Sequence, residues 1–261
     1  MKYWEEVKGD HSLWLRISKC SEKVLILDYD GTLAPFVQDR NKAFPYPGVR
    51  EIISRIMEKP GARVVFVTGR ACGDLLSLLA LPVRPEIWGS HGGERLLPDG
   101  TLEKMRLSPE HEQGLASASA LARGPGTEKR LETKPGCLAA HFRGLDEQRA
   151  LSLKKELSGA WSGTAKESGL TLHEFDGGLE LRVPGFDKGR AVRKIMAETG
   201  PEAALFYLGD DVTDEDAFAA LKGNGTPVLV RNEPRPTHAE WLLRPPRELL
   251  EFLSRWNAAS A

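Results

Sequence analysis

Short apolar runs alternate with helical patterns along the first hundred residues of this 261-residue chain. Val24-Leu25-Ile26-Leu27 is a continuous apolar run typical of a buried parallel strand, and Val64-Val65-Phe66-Val67 is a second. The spacing of apolar residues over 49–57 predicts a helix between them, and a helix over about 73–79 leads to a third strand at 86–88. This βαβαβ order predicts a parallel sheet covered by helices.

The middle of the chain has a different pattern, in which hairpins alternate with helices. A helix is predicted over 109–121 and ends before the breaker Gly124-Pro125-Gly126. The predicted elements that follow are strands at 130–134 and 137–142, a helix at 146–157, and strands at 170–175 and 179–183 joined by Asp176-Gly177-Gly178. This order indicates a small α+β module.

The α/β pattern returns near Lys188. The predicted elements there are a helix from Lys188, a strand at 204–208, a helix from about 214, a strand at 227–230 and a helix at 246–256. We therefore predict an α/β chain with a Rossmann-like parallel-sheet core formed by 1–106 and 183–261. An inserted α+β cap domain is predicted over 107–182.

Charge and composition exclude several classes of partner. The formal net charge is -1, so the chain has no overall positive field to attract nucleic acid or an anionic membrane. No apolar run reaches about 18 residues, and no signal peptide is recognised at the N-terminus. Cys20, Cys72 and Cys137 fit neither a zinc site nor a disulfide framework, which favours reduced thiols in the cytoplasm.

Two carboxylates follow the first strand directly, in the segment Asp28-Tyr29-Asp30-Gly31-Thr32-Leu33. Ligands of open α/β sheets bind beyond the carboxyl ends of the strands. One carboxylate there can attack phosphorus while the other transfers protons, and Gly31 permits a tight turn close to a phosphate. The alternative is a polar turn with an aspartate cap.

Two further segments offer groups that can hold a phosphate. Thr68-Gly69-Arg70 follows the second strand, where a hydroxyl and adjacent backbone N–H groups form a phosphate cradle or, alternatively, a helix cap. Lys188 begins a helix, where its charge opposes the helix dipole unless an anion lies between them. A plain surface lysine is the alternative.

Acidic residues crowd the segment Gly209-Asp210-Asp211-Val212-Thr213-Asp214-Glu215 after the strand at 204–208. Such acids repel one another unless they are solvated or bind a metal, and Mg²⁺ prefers oxygen ligands. A solvated, helix-capping cluster is the alternative. A nucleophile, a hydroxyl, a cation and a metal site in this order are what phosphoryl transfer requires.

These segments resemble the four motifs of the haloacid dehalogenase-like superfamily. The resemblance implies Asp28 as nucleophile, Asp30 as general acid/base, and Thr68 with Gly69 and Lys188 as phosphate ligands. It also implies Mg²⁺ as cofactor. The metal would be held by Asp28, the backbone carbonyl of Asp30, and Asp210, with Asp211 or Asp214 holding waters on it.

A narrower resemblance, to trehalose-6-phosphate phosphatases, covers nearly the whole chain from about Val24. It rests on 28–35, on 209–218, on His91-Gly92-Gly93-Glu94, and on cap segments around Glu132, His141 and Glu180. The sequence departs from that family at Thr68 (usually Ser), at Phe142 (usually Tyr) and at Gly93 (usually Ala). Of these departures, Phe142 removes a hydroxyl that could contact sugar.

The resemblance implies hydrolysis of trehalose 6-phosphate through an aspartyl-phosphate, with a trehalose-phosphate synthase in the same pathway. It assigns sugar contacts to Glu132, Lys134, His141, Arg143, Glu180, Arg182 and His91. The alternative for the cap residues is a set of cross-strand ion pairs, and for His91 a buried structural histidine. Alternative functions are a phosphatase for sucrose, mannosylglycerate or glucosylglycerate phosphate, a phosphosugar mutase, and an inactive sugar-phosphate sensor.

Overall fold

The computed structural model describes residues 1–122, 124, 127–175 and 177–260. These residues form two compact units, Met1–Leu102 with Asp187–Ala261, and Glu103–Phe186. The predicted cap, 107–182, lies within the second unit. Pro125 and Gly126 of the predicted breaker, and Asp176 of the predicted turn, lie outside the described residues.

The helices and strands are numbered here in chain order. The first segment contains β1 (Lys2–Tyr3), α1 (Trp4–Val7), α2 (His11–Lys19), β2 (Lys23–Leu27), α3 (Val49–Met57), β3 (Ala62–Val67), α4 (Cys72–Leu79), β4 (Glu86–Gly89), β5 (Glu94–Leu96) and β6 (Leu102–Lys104). The middle segment contains α5 (Pro109–Leu121), β7 (Leu131–Lys134), β8 (Cys137–His141), α6 (Glu147–Glu167), β9 (Thr171–Phe175) and β10 (Gly178–Arg182). The last segment contains α7 (Lys188–Ala197), β11 (Ala204–Gly209), α8 (Glu215–Leu221), β12 (Thr226–Val230), β13 (Trp241–Leu243) and α9 (Arg247–Ala259).

The large sheet has the strand order β1-β13-β12-β11-β2-β3-β4-β5-β6. The pairs from β1 to β4 are parallel, and β5 runs antiparallel to β4. The predicted α/β class with a parallel sheet is therefore confirmed. Among the helices that the structure describes, none is both long and apolar enough to span a bilayer.

Both faces of the large sheet are buried, which explains the continuous apolar runs of its strands. Leu25 and Leu27 of β2 pack into one core with residues of α1, α2, α3, α4 and α9. Val24 and Ile26 point to the other face and pack with residues of α7 and α8. The helices therefore fix β2 from both sides.

Three neighbouring strands end at the same edge of this sheet. β2 lies between β11 and β3, with Leu27 in register with Leu208 and with Phe66. Because all three strands are parallel, the residues that follow them emerge side by side. Asp28, Thr68 and Asp210 are brought to one edge in this way.

The second unit contains a four-stranded antiparallel sheet of order β7-β8-β10-β9. Leu138, Leu179 and Leu181 form its apolar face and pack in one core with residues of α5 and α6. The α+β character of this segment agrees with the sequence pattern, because strand alternation and helical spacing are both present.

Two details of the sequence prediction were incomplete. α6 was predicted to end at Leu157, but it continues to Glu167. Leu153, Leu157, Trp161 and Ala165 repeat every four residues and are buried, so packing extends the helix past the exposed glycines of that stretch. No prediction covered β13, which has three residues, or α1 and α2 before Lys23.

Candidate active site

Asp28 lies directly beyond the end of β2 and is 3% exposed. Its backbone N–H donates to the carbonyl oxygen of Leu208 at 2.9 Å, which fixes it against β11. Its Oδ1 accepts a hydrogen bond from Lys188 Nζ at 2.6 Å, and its Oδ2 accepts one from Thr32 Oγ1 at 3.1 Å. Burial raises the pKa of Asp28 to about 7, with the charge of Asp214 adding to the effect and that of Lys188 opposing it.

Lys188 is the first residue of α7 and is itself buried. Its Nζ donates to Asp28 Oδ1 at 2.6 Å and to Asp214 Oδ1 at 2.7 Å. Burial alone lowers a lysine pKa, but the charges of Asp214 and Asp28 outweigh it, and the pKa of Lys188 is raised. The two carboxylates explain how a cation is tolerated at a helix N-terminus.

The Asp214 carboxylate is fully occupied by donors from this chain. Its Oδ1 accepts from Lys188 Nζ and, at 2.6 Å, from the Tyr207 hydroxyl. Its Oδ2 accepts from the backbone N–H groups of Asp210 at 3.1 Å and Asp211 at 3.0 Å. Since a carboxylate has about four lone-pair sites, Asp214 serves to anchor Lys188 and the loop after β11.

Asp210 completes a buried acidic cluster. Asp28, Asp210 and Asp214 each offer a carboxylate oxygen within 4.8 Å of the others. Burial raises the pKa of Asp210 well above its ordinary value, and the charges of Asp28 and Asp214 add to this effect. Thr32 Oγ1 lies 3.1 Å from Asp28 Oδ2 and 3.3 Å from Asp210 Oδ1, so one hydroxyl lies between the two acids.

This cluster fits a divalent cation of the Mg²⁺ type. Its donors are hard carboxylate oxygens, and a bound cation would offset the burial and the mutual repulsion that raise the pKa values of Asp28 and Asp210. Gly31 leaves room for the close approach, since a Cβ there would lie 2.1 Å from Asp210 Oδ2. Asp28 and Asp210 retain lone pairs, whereas those of Asp214 accept from this chain, and its predicted role in holding waters on the metal stays a prediction.

Asp211 and Asp30 contribute differently from the cluster. Asp211 caps the turn after β11, its Oδ1 accepting from the N–H of Val212 at 2.7 Å, and within the described chain its carboxylate is not part of the acidic cluster. The Asp30 carboxylate is held by Arg70, whose Nε and Nη2 each donate to it at 2.6 Å. Whether either residue assists a metal stays a prediction.

The loop after β3 is built around Thr68 and Gly69. Thr68 is buried, its N–H donates to Trp88 O at 2.9 Å, and its Oγ1 accepts from the N–H of Arg70 at 3.1 Å. His91 donates its backbone N–H to Thr68 O at 3.0 Å, and a Cβ at Gly69 would lie 2.7 Å from His91 Nε2. The structure thus places the His91 ring against the predicted phosphate cradle.

Most of the predicted sugar contacts share one face of the small sheet. Cross-strand partners place Glu132, Ala139 and Glu180 in one row, and Lys134 and Arg182 two residues further along the same face. The leucines that pack on α5 and α6 lie on the opposite face. Five of the six residues predicted for this module therefore belong to one surface: Glu132, Lys134, His141, Glu180 and Arg182.

Several charged groups of that face pair with one another. Glu132 Oε2 lies 2.8 Å from His141 Nε2 and 3.2 Å from Lys134 Nζ. Glu180 and Arg182 are buried, and Arg182 Nη1 lies 3.8 Å from Glu180 Oε2. Arg143 follows β8, and its carbonyl oxygen accepts from Arg130 at 3.2 Å. The sugar contacts of all six stay predictions.

Sequence reasoning did not assign roles to Thr32, Arg70, Tyr207 or Cys137. Thr32 and Arg70 lie inside the motifs, so only their position hinted at a role. Tyr207 lies in a strand and reaches Asp214 through its hydroxyl. Cys137 donates its thiol to Glu180 Oε1 at 2.7 Å, and burial raises the pKa of this thiol.

The sequence and the fold are similar to those of known proteins. The family model described as trehalose-phosphatase matches residues 26–246. Trehalose-phosphate phosphatase B of Arabidopsis thaliana is 30% identical over 262 residues, which cover 91% of this chain and 67% of that protein. A bifunctional trehalose-6-phosphate synthase/phosphatase of Thermoproteus tenax is 31% identical over 97% of this chain and 34% of its own length.

A solved structure shares the fold. The C-terminal domain of a Candida albicans trehalose-6-phosphate phosphatase superposes with a TM-score of 0.79. The match covers 95% of this chain and 97% of that one, at 22% sequence identity. The likeness extends over both compact units of the chain.

Proposed function

The chain belongs to the trehalose-phosphatase family, and we propose that it hydrolyses trehalose 6-phosphate to trehalose and inorganic phosphate in trehalose biosynthesis. It is accordingly a phosphoric monoester hydrolase. The observation that carries the mechanism is the buried Asp28 carboxylate at 2.6 Å from Lys188 Nζ, beside the acidic cluster with Asp210.

The reaction proceeds in two steps. An Asp28 oxygen forms a bond to phosphorus while the bond from phosphorus to the sugar oxygen breaks, and Asp30 gives that oxygen a proton. Asp30 then takes a proton from water as the water oxygen bonds to phosphorus, which releases phosphate and restores the Asp28 carboxylate. Covalent catalysis splits one very slow hydrolysis into two faster transfers.

Neighbouring residues prepare Asp28 for attack and hold the phosphate. Lys188 stays protonated, favours the ionised form of Asp28 and supplies positive charge for the phosphate oxygens. The Thr68 hydroxyl and the N–H of Gly69 are the proposed phosphate donors. Mg²⁺ held by Asp28 and Asp210, with the Asp30 carbonyl, would neutralise negative charge on the transferring phosphoryl group.

The second unit is the proposed cap, and the polar face of its sheet is the proposed sugar-recognition surface. Support comes from the shared face of Glu132, Lys134 and Glu180, whose acids and base are suited to bind vicinal hydroxyl groups. The synthase activity named for the Thermoproteus relative supports a synthase as the partner that supplies the substrate. The three unpaired cysteines support a cytoplasmic location.

Phosphate release from a panel of sugar phosphates tests the proposal. The panel contains trehalose 6-phosphate and the phosphates of sucrose, mannosylglycerate and glucosylglycerate, each with Mg²⁺ and with a chelator. We expect the highest kcat/KM for trehalose 6-phosphate and loss of activity with the chelator. Preference for another ester would overturn the substrate, and an isomeric sugar phosphate without free phosphate would indicate a mutase.

A further inference from the structure

Arg70 forms two hydrogen bonds to the Asp30 carboxylate. Its Nε donates to Asp30 Oδ2 and its Nη2 to Asp30 Oδ1, both at 2.6 Å. We propose that Arg70 is a positioning residue, which holds the Asp30 carboxylate in the orientation that proton transfer requires. This inference rests on the function proposed above.

Contacts with neighbouring residues fix the position of the Arg70 guanidinium. The backbone N–H of Arg70 donates to Thr68 Oγ1 at 3.1 Å, and its carbonyl accepts from the N–H of Ser90 at 2.8 Å. Its guanidinium lies 5.6 Å from the centre of the Tyr29 ring. Tyr29 is fully buried, and its hydroxyl donates to Ala43 O at 2.6 Å. The buried Tyr29 ring and the hydrogen-bonded loop at Arg70 therefore fix the position of the guanidinium charge.

Stability alone does not account for this placement. Arg70 is 4% exposed, and its Nη1 is buried without a hydrogen-bond partner among the residues the structure describes. Burying an arginine costs several kcal/mol, and buried ion pairs are often replaced by apolar groups without loss of stability. The Asp30 side chain is 30% exposed, so the arginine is the partner that bears most of the desolvation.

The need to orient the Asp30 carboxylate does account for the buried position of Arg70. A general acid/base must lie within about 2.6–3.2 Å of the proton it transfers, and a misplacement of about 1 Å can cost about 10²-fold in rate. A forked arginine contact fixes both the position and the plane of a carboxylate. Each Asp30 oxygen keeps a second lone pair, which can carry the proton to the sugar oxygen or accept one from water.

A double-mutant cycle on trehalose 6-phosphate tests this role. Single-turnover rates are measured for Arg70→Gln, for Asp30→Asn and for the double variant. We expect Arg70→Gln to slow phosphoryl transfer by about 10- to 100-fold, yet to slow the Asp30→Asn enzyme less than about twofold. Effects that multiply would show that Arg70 acts independently of Asp30, and would overturn the proposal.

An aryl ester supplies a second readout. The leaving group of p-nitrophenyl phosphate departs without a proton, so kcat/KM for this ester, which reports the first transfer, should fall less than about threefold in Arg70→Gln. An equal loss of kcat/KM for both substrates would mean that Arg70 binds the phosphate itself, which contradicts a positioning role.

Two further variants complete the design. Arg70→Lys keeps the charge without the fork and should be slower than wild type on trehalose 6-phosphate but faster than Arg70→Gln; it replaces Arg70→Gln in the cycle if that variant does not fold. Arg63→Gln is the matched control, because Arg63 lies in β3, the strand that precedes Arg70, and donates two hydrogen bonds to Glu86 Oε2. This control should keep its activity on trehalose 6-phosphate and on p-nitrophenyl phosphate.

The outcomes separate the two proposals. A wild-type enzyme that is inactive on trehalose 6-phosphate would refute the proposed function. An active wild type in which the effects of the two substitutions multiply would refute only the role of Arg70.

Discussion

Charged side chains cluster at both ends of the strands of the large sheet, but the two ends balance them differently. Where β3 and β4 begin, Glu86 lies 2.9 Å from Arg63 Nη2 and 2.7 Å from Arg95 Nη2. Glu198 lies 2.8 and 2.7 Å from the same two nitrogens. Two acids thus face two arginines, and the exposed Lys194 lies 3.8 Å from Glu198 Oε1. Burial opposes ionisation of Glu198, but its hydrogen bonds to Arg95 and Arg63 hold its pKa below the ordinary value.

Where β2 and β11 end, acids outnumber bases. Asp28, Asp210 and Asp214 lie together around the ammonium group of Lys188. Burial and mutual repulsion raise the pKa values of Asp28 and Asp210. The same sheet therefore carries a neutralised network at one end and an unbalanced one at the other.

The difference separates stability from function. A balanced network satisfies its own charges and needs no ligand. On the proposed function, a bound cation would balance the excess negative charge where β2 and β11 end, and such sites commonly reduce the stability of the protein without ligands. Substitutions of acidic residues at the two ends should therefore change the free energy of unfolding in opposite directions.

The largest effect is expected for Asp28→Asn. Removal of the nucleophile should lower kcat by at least about 10⁴-fold, because no other group can form the covalent intermediate. Steady-state phosphate release measures this, and trapping of phosphorylated protein in wild type alone supplies the control. Activity close to wild type in the variant would refute the aspartyl-phosphate mechanism.

The next largest effect is expected for Glu86→Gln at the balanced end. It leaves Glu198 as the remaining acidic partner of Arg63 and Arg95, and the free energy of unfolding should fall by about 2 kcal/mol. Urea denaturation measures the loss, while kcat per folded molecule stays at the wild-type value. Unchanged stability would mean that this network does not hold the strands together.

Asp210→Asn should act in the opposite direction on stability. In the presence of a chelator, removing one repelling charge should raise the free energy of unfolding by about 1 kcal/mol. Mg²⁺ should raise the Tm of wild type but not of this variant, because the variant lacks one carboxylate of the cation site. A variant less stable than wild type in chelator would contradict the contrast between the two ends.

The smallest effect is expected for the pH response of Glu198. Because its pKa is depressed in the folded protein, its contribution is present above its unfolded pKa of about 4.3 and is lost as pH falls through the folded value. Since its side chain is 28% exposed, this contribution should stay below about 1 kcal/mol. The stability gap between wild type and Glu198→Gln should narrow from pH 7 to pH 3.5, and a constant gap would argue against the ion pairs.

The sequence predicted the parallel core because its buried strands are continuous apolar runs with aspartates or a threonine directly after them. It also indicated an anion near Lys188; the structure places the carboxylates of Asp28 and Asp214 there, and the phosphate contact of Lys188 stays a prediction. Local pattern sufficed here, because the strand and the residue that follows it are adjacent in the chain.

The contacts between distant segments could not be predicted in this way. Arg70 and Asp30 are 40 positions apart, and Lys188 and Asp28 are 160 apart, so each pairing depends on strand order and register. β13 has three residues, too few to show alternation. The second half of α6 contains Gly159 and Gly163, whose low helix propensity is overcome by the burial of Trp161.

Gly31 lies beside Asp210 at a position where a side chain would collide with its neighbours. Its φ is 84°, and a Cβ would lie 2.1 Å from Asp210 Oδ2 and 2.7 Å from the Phe36 ring. In a saturation library at this position, even alanine should displace the Asp210 carboxylate, so selection for phosphate release would return glycine alone. The room that the Asp210 carboxylate occupies is thus set by the absence of a side chain at Gly31.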